Sequence, residues 1–367
     1  MIRYFAAFAA LIALCAIPVF AGAVQRCTVT LKADGNTAAV QRAMERPGKA
    51  TPVVCLRAGI YKGARLLATR SVVLQRTGKG KVVLDAGERG RMVTLLDKDI
   101  EVTLRGLTLT GGVAEEGAAV AVLRDSRLRM EDCWLTDNRA TSKGAAVHVG
   151  GGLAVLVRTR ITRNDAPRAG AIYVAPGARI VLAHTLIAGN RNQGGANAPV
   201  YFAPGSGGEI LYSTIAYNHA HGIYIQPSEK RTLTPLRVDS SIVMGGSHAI
   251  WVSRSTASMV EVYRSVVHGE VGFIPLDLKT SRQLPVFTLN EPEPQRYRPT
   301  LGSPAIKRGA CTSRFGKTDI SGKRRPSLCT AGAVESNDKE IAKTMAERDR
   351  IAKIKKRERK ADEAFNW

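Results

Sequence analysis

Aromatic side chains are scarce in this sequence: 20 Phe, Tyr and Trp among 367 residues. That shortage argues against a globular core built on bulky rings, and 35 glycines point instead to many tight turns. Acidic residues are also few, 31 against 54 Lys and Arg, leaving a formal charge of +23. Such a balance turns attention to anionic partners: acidic polysaccharide, nucleic acid or a membrane surface. No CxxC and no Cys/His cluster at zinc spacing is present, so no metal and no cofactor is expected. Global disorder is excluded by 44% hydrophobic residues.

Long apolar runs are missing as well, with one exception. Between Arg3 and Arg26 lies the uncharged stretch Phe5 to Phe20, too short for a comfortable membrane span and followed by Ala21-Gly22-Ala23. This pattern reads as a secretory signal peptide, residues 1–23, cut after Ala23. The remaining chain is then expected to be exported, with no transmembrane segment, into the periplasm, the medium or the cell surface. Export into an oxidising compartment makes disulfides the expected use of the cysteines. Cys15 leaves with the leader. Cys27 with Cys55 and Cys311 with Cys329 are the economical pairs, which leaves Cys133 single.

Composition shifts after Glu335. Residues 336–367 hold ten basic and seven acidic residues without Gly or Pro, and read as a charged helical tail with a weak apolar stripe. The tail carries a net +3, so residues 24–335, with 43 basic against 24 acidic residues, hold +19.

The body obeys a period. Leu109, Leu135, Ile161 and Ile187 each open a short apolar-polar block and stand 26 residues apart; Ile215, Ile242 and Val266 continue the series at steps of 28, 27 and 24. Each leading strand is followed by a middle strand, such as Val147-His148-Val149 or Ile172-Tyr173-Val174, and by a closing strand, such as Ala154–Val157. Short strands, Gly/Asn turns and no helical pattern within a unit of this length describe one coil of a parallel β-helix. Equivalent side chains then form ladders at about 4.8 Å spacing. Asn138, Asn164, Asn190 and Asn218 are expected to stack at a turn. Cys133 falls in a small inward column with Thr159, Thr185, Ser213 and Ser240. Ala39, Val40, Ala43 and Met44 give the segment Asn36–Arg46 one apolar face, a capping helix that Pro47-Gly48 ends.

With these elements in place the sequence resembles a known class. The helix followed by Pro52-Val53-Val54-Cys55-Leu56-Arg57-Ala58-Gly59-Ile60-Tyr61 resembles the entry to right-handed parallel β-helix proteins of the pectate-lyase-like superfamily. Leu301-Gly302-Ser303-Pro304-Ala305-Ile306, Asp319–Pro326 and Gly332-Ala333-Val334-Glu335 are similar to the C-terminal end of choice-of-anchor Q proteins. The resemblance covers roughly residues 36–335 and implies an all-β solenoid over residues 24–335. It implies no particular activity, since that group consists mostly of surface or secreted proteins, and the charged tail stands where the usual anchor would be.

Enzymes of this fold gather carboxylates around calcium or pair Asp residues for acid/base chemistry. The sequence has no column of adjacent Asp, and no Asp-Pro-His-Asp motif of mannuronan epimerases. Two surface columns remain as candidates. Asp132, Arg158, His184, Tyr212, Asp239 and Tyr263 each precede a leading aliphatic by three residues and are expected to face water. Of these Arg158, His184, Tyr212 and Asp239 are the candidate catalytic groups for β-elimination from an acidic sugar. The second column lies on the middle strands, where alternation puts His148, Tyr173, Tyr201, Tyr224 and Trp251 outward between aliphatic residues. Its ring faces suit stacking on an extended sugar chain, with Arg and Lys nearby to neutralise acid groups. His219 and His221 are close enough to suggest a metal pair, but two His in a turn more often cap the loop. The export signal and the lack of a nucleic-acid-binding motif weigh against nucleic acid. Binding of acidic polysaccharide or an anionic cell envelope is therefore the first expectation, polysaccharide lyase the second, and a non-catalytic surface spacer the third.

Overall fold

The computed structural model describes residues 25–33, 37–192, 198–218, 221–227, 235–300, 303–306, 309–310, 318–325 and 328–335. The expected leader, the tail 336–367 and the Cys311–Cys329 pairing lie outside the described residues. The chain winds into a right-handed parallel β-solenoid of about nine turns. Closing strands stack into one ten-stranded sheet that runs from Val29–Leu31 to Val260–Tyr263. Leading and middle strands form two further faces, joined at the C-terminal end by the ten-residue strand Ile242–Trp251. The strands of successive coils pair in parallel, as in Leu135↔Ile161↔Ile187↔Ile215, with register shifts between Ala114 and Glu116 and along Ile242–Trp251.

Strand alternation decides what enters the core. Val147, Ile172, Val200, Ile223 and Ile250 are buried from the middle face, Leu128, Ala154, Ile180 and Ile210 from the closing face, and Leu135, Ile161, Ile187 and Ile215 from the leading face. Each regular coil bends at two left-handed corners. The first is occupied by Asp132, Arg158, His184 and Tyr212, with φ of 54, 47, 52 and 50°. The second is occupied by Asp137 and Arg163 at 56 and 55°, just before the asparagines. For a residue with a Cβ that backbone costs roughly 1–2 kcal/mol, so the corners persist because the flanking strands hold them.

The Asn ladder offsets part of that cost. Asn164 Nδ2 donates to Leu135 O at 3.0 Å, Thr162 O at 3.1 Å and Asn190 Oδ1 at 3.0 Å. Its Oδ1 accepts from the backbone N and the Nδ2 of Asn138. Asn190 repeats the pattern onto Asn218. Each amide thus ties its own turn to the coils before and after it, which is why the turn requires this side chain.

At the N-terminal end a helix spans Ala38–Met44, with Val40 and Met44 in the core. It is shorter than the expected Asn36–Arg46. The residue before a proline is driven from helical backbone, and here Glu45 already ends the helix ahead of Arg46-Pro47. Cys27 and Cys55 form a disulfide that ties the first described strand region to the strand Val53–Leu56. Cys133 is a buried free thiol.

One expectation is corrected in the last coils. The register pairs Thr214 with Ile242 and Ile215 with Val243, then Ile242 with Val266 and Val243 with Val267. The leading inward aliphatics there are therefore Val243 and Val267, one residue later than the sequence suggests. Both coils carry two aliphatics in succession, and a one-residue slip exchanges the faces. Ile242 and Val266 point out instead, under the C-terminal segment, among Ala216, Phe287, Ala331 and Ala333. The hydroxyl column accordingly continues from Ser213 through Ser241 and Ser265, not Ser240. Thr185, Ser213 and Ser241 each donate a backbone N–H to the next hydroxyl at 3.1 Å.

Candidate functional site: a ring stack on the middle face

The two candidate columns meet different fates. The first does not form a water-facing catalytic row. By the register just described, Asp239 aligns with Leu211 and Tyr263 with Asp239, so both belong to the neighbouring column. The backbone N–H of Tyr212 bonds Asp239 O and that of Ser240 bonds Tyr263 O, so Ser240 and then Arg264 occupy the corner. Arg158 is engaged bidentately by Asp132, at 2.7 and 3.0 Å. Asp239 is buried and accepts from Arg237 and Arg264. His184 and Tyr212 are buried too. Their rings stack on each other, and the Arg325 guanidinium of the C-terminal segment lies 5.6 Å from the Tyr212 ring centre. Arg325 is held by Glu335 at 3.1 Å and by Thr330 O. Burial, together with the charges of Arg325 and Arg158, holds the His184 imidazole well below its ordinary pKa. The sequence pattern could not reveal this cover, because Arg325 is 113 residues beyond Tyr212.

The second column assembles in register: His148↔Tyr173↔Tyr201↔Tyr224↔Trp251. Three-residue strands with aliphatic flanks, such as Ile172-Tyr173-Val174, bury both flanks and leave the ring outside. Successive ring centroids are 5.3, 5.6, 4.8 and 4.4 Å apart, with planes inclined by 25, 27, 20 and 7°. Stacking of this kind uses the inner faces of the rings. What the column offers outward is a ridge of ring edges, polar tips and half-exposed Tyr173, Tyr201 and Trp251, rather than the open faces that spacing alone suggests.

Polar groups line the ridge. Lys143 Nζ stands 4.3 Å from the Tyr173 ring centre and pairs with Glu116 at 3.0 Å. The other Glu116 oxygen lies 3.5 Å from His148 Nδ1. Burial holds His148 below its ordinary value, against the pull of Glu116. Tyr201 donates to Gln226 at 3.2 Å, and burial beside Tyr224 and Tyr173 pushes its phenol up to about 12. The ridge phenol is thus a neutral hydrogen-bonding group. At the far end His221 Nδ1 and Ser247 Oγ are 3.0 Å apart, and His248 Nε2 lies 3.1 Å from Glu270. His219 lies outside the described residues. Among the described residues no three His, Cys, Asp or Glu side chains converge to hold a metal.

The C-terminal segment docks elsewhere. Ala333 N donates to Thr214 Oγ1 and Gly332 N to Ser240 O, both at 2.9 Å, and Phe287 and Tyr297 pack around Tyr217. All of these solenoid partners belong to the leading face or its corners.

Residues 94–267 match the family model of the right-handed β-helix region. The match and the solenoid geometry agree on a right-handed parallel β-helix fold. A search of curated proteins found no match.

Proposed function

We propose that this chain is an exported β-helix protein of the pectate-lyase-like type that binds acidic polysaccharide, or an anionic cell envelope, along the ridge from His148 to Trp251. The observation that carries the reading is the uninterrupted ring stack on the middle face, flanked by Lys143, in a body of net charge +19. A ridge of neutral phenol tips and ring edges supplies hydrogen bonds and apolar contact at small entropic cost. The basic surface supplies long-range attraction for the acid groups. The helix Ala38–Met44 acts as the N-terminal cap, and the leader directs export. The lyase reading loses support because the groups it named are buried or paired.

The test is chromatography of the full chain on immobilised alginate and polygalacturonate, reading the salt needed for elution. The double variant Tyr173→Ala/Tyr201→Ala is expected to elute at lower salt while keeping the wild-type circular dichroism spectrum. Unchanged elution of a folded variant would sink the ridge proposal and favour the spacer reading. Release of unsaturated uronate from the same polymers would instead establish a lyase.

A further inference from the structure

Large apolar side chains are rare on the described surface except near one end of the solenoid. Of the eight that are exposed among the described residues, five fall within one short stretch: Phe273, Leu278, Leu284, Val286 and Leu289. Phe273, Leu278 and Leu284 are 57, 104 and 54% exposed, so more than half of each faces solvent. Hydrogen bonding places these three around the last turn. Gly272 donates its N–H to Ile250 O, Leu276 bridges Val262, and Ser281 donates its N–H to Ser265 O at 2.8 Å. Residues 272–281 therefore trace one further turn beyond Val260–Tyr263 and Val266–Val271, from the middle face past the closing face to the leading face. Ile274 is buried in the core and Leu276 packs against it, while Phe273 and Pro275 alternate outward. Phe273 thus stands before the closing face, Leu278 at the corner after it, and Leu284 just past the leading face.

Backbone and charge decide what this end can meet. Among the described residues no strand pairs beyond the turn. Pro275 interrupts it and Pro285 follows Leu284, and a proline has no N–H to give to an added strand. Strand-on-strand stacking of a second copy is blunted accordingly. Lys279 and Arg282 are exposed on the same stretch, and the exposed Arg254 guanidinium lies 4.8 Å from the Phe273 ring centre. Asp277, the one carboxylate of residues 272–284, is engaged within the protein, accepting from Arg264 N and Thr280 Oγ1. Glu270, on the preceding strand, is exposed and lies 3.1 Å from His248 Nε2. Single apolar side chains projecting among Lys and Arg suit an anionic bilayer surface. The apolar tips enter the acyl boundary while the cations stay with the headgroups.

We propose that the C-terminal end of the solenoid is a membrane-contact tip. Phe273, Leu278 and Leu284 insert into the surface of an anionic phospholipid bilayer, and Arg254, Lys279 and Arg282 pair with its phosphate groups. The solenoid then stands end-on to the bilayer, with the ridge from His148 to Trp251 on its side wall. The tip uses none of the ridge residues and does not depend on the glycan reading.

The experiment is co-sedimentation of the full chain with vesicles of phosphatidylethanolamine containing about one quarter phosphatidylglycerol. Saturable partitioning is expected, much weaker on phosphatidylcholine alone. The variant Phe273→Ser/Leu278→Ser/Leu284→Ser, changed only at exposed positions, is expected to partition about tenfold less or worse with an unchanged circular dichroism spectrum. Lys279→Gln/Arg282→Gln is expected to lose about tenfold, and Tyr173→Ala/Tyr201→Ala to lose nothing. Leu278→Trp is expected to add fluorescence that vesicles shift to the blue and brominated lipid quenches. Equal partitioning of the triple variant would show that the charge of the body is enough, and would overturn the tip. Absence of partitioning would overturn it as well; self-association of the parent that the triple variant abolishes would then assign this end to a second copy.

Discussion

The ring of Tyr212 lies flat on His184, with 4.9 Å between centroids and 12° between planes, in a place where both residues occupy left-handed corners of successive coils. Neither ring nitrogen of His184 has a hydrogen-bond partner. The charged groups facing it are Arg158, itself paired with Asp132, and Arg325, paired with Glu335. A proton on His184 would thus join two guanidinium groups under the C-terminal segment.

This gives a pH prediction with a definite sign. His184 has its pKa lowered by folding, so the folded state binds fewer protons than the unfolded one. Its contribution is complete above the ordinary imidazole value of 6.5 and is lost as pH falls below it towards the folded value. Hydrogen exchange of the amides of Asp319–Arg325 and Thr330–Glu335, corrected for intrinsic rates, is expected to accelerate between pH ~7 and pH ~5. His184→Asn suits the left-handed corner and should flatten that acid response. An equal response in the variant would show that another group controls the segment.

Arg325 and Glu335 form a buried pair, with side-chain exposures of 2 and 1%. Arg325→Ala leaves the Glu335 carboxylate uncompensated and should cost about 3–5 kcal/mol, read as a lower urea midpoint and as proteolytic release of the segment. Replacing both residues by Met and Leu should recover most of that loss. A single variant as stable as the parent would contradict the pairing.

Asn164 is bound on both amide ends within the turn ladder. Asn164→Ala strands several buried backbone groups and should destabilise the solenoid by roughly 2–5 kcal/mol, measured by chemical denaturation. Asn164→Asp keeps the shape but cannot donate, so it should not rescue. Loss of less than about 1 kcal/mol in either variant would mean that the ladder is ornamental.

Cys133 is expected to resist thiol reagents while the protein is folded and to react fully in denaturant, since burial pushes its pKa up to about 12. Its sulfur approaches Leu104 O and Glu131 O, the same two positions that Ser213 Oγ bonds as Leu182 O and Leu211 O. Cys133→Ser should therefore fold with a change of about 1 kcal/mol or less. Rapid labelling of the native thiol would refute the inward placement.

The sequence by itself determined whatever repeats locally. A 26-residue period, aliphatic flanks around a single outward ring and an Asn at the same turn in four coils are properties of one coil, copied along the chain. Hence the solenoid, the Asn138–Asn218 ladder and the order of the rings from His148 to Trp251 were all legible. Only the tertiary structure decided what depends on choice between equal local options or on distant chain. Ile242-Val243 and Val266-Val267 each offer two aliphatics, and the C-terminal segment selects which turns outward by burying the first. His184 and Tyr212 look like surface residues until Arg325, far along the chain, closes over them. Four of the scarce aromatics that first set this sequence apart, Tyr173, Tyr201, Tyr224 and Trp251, are spent on one another and on His148: at the spacing of stacked strands, neighbouring rings cover each other's faces.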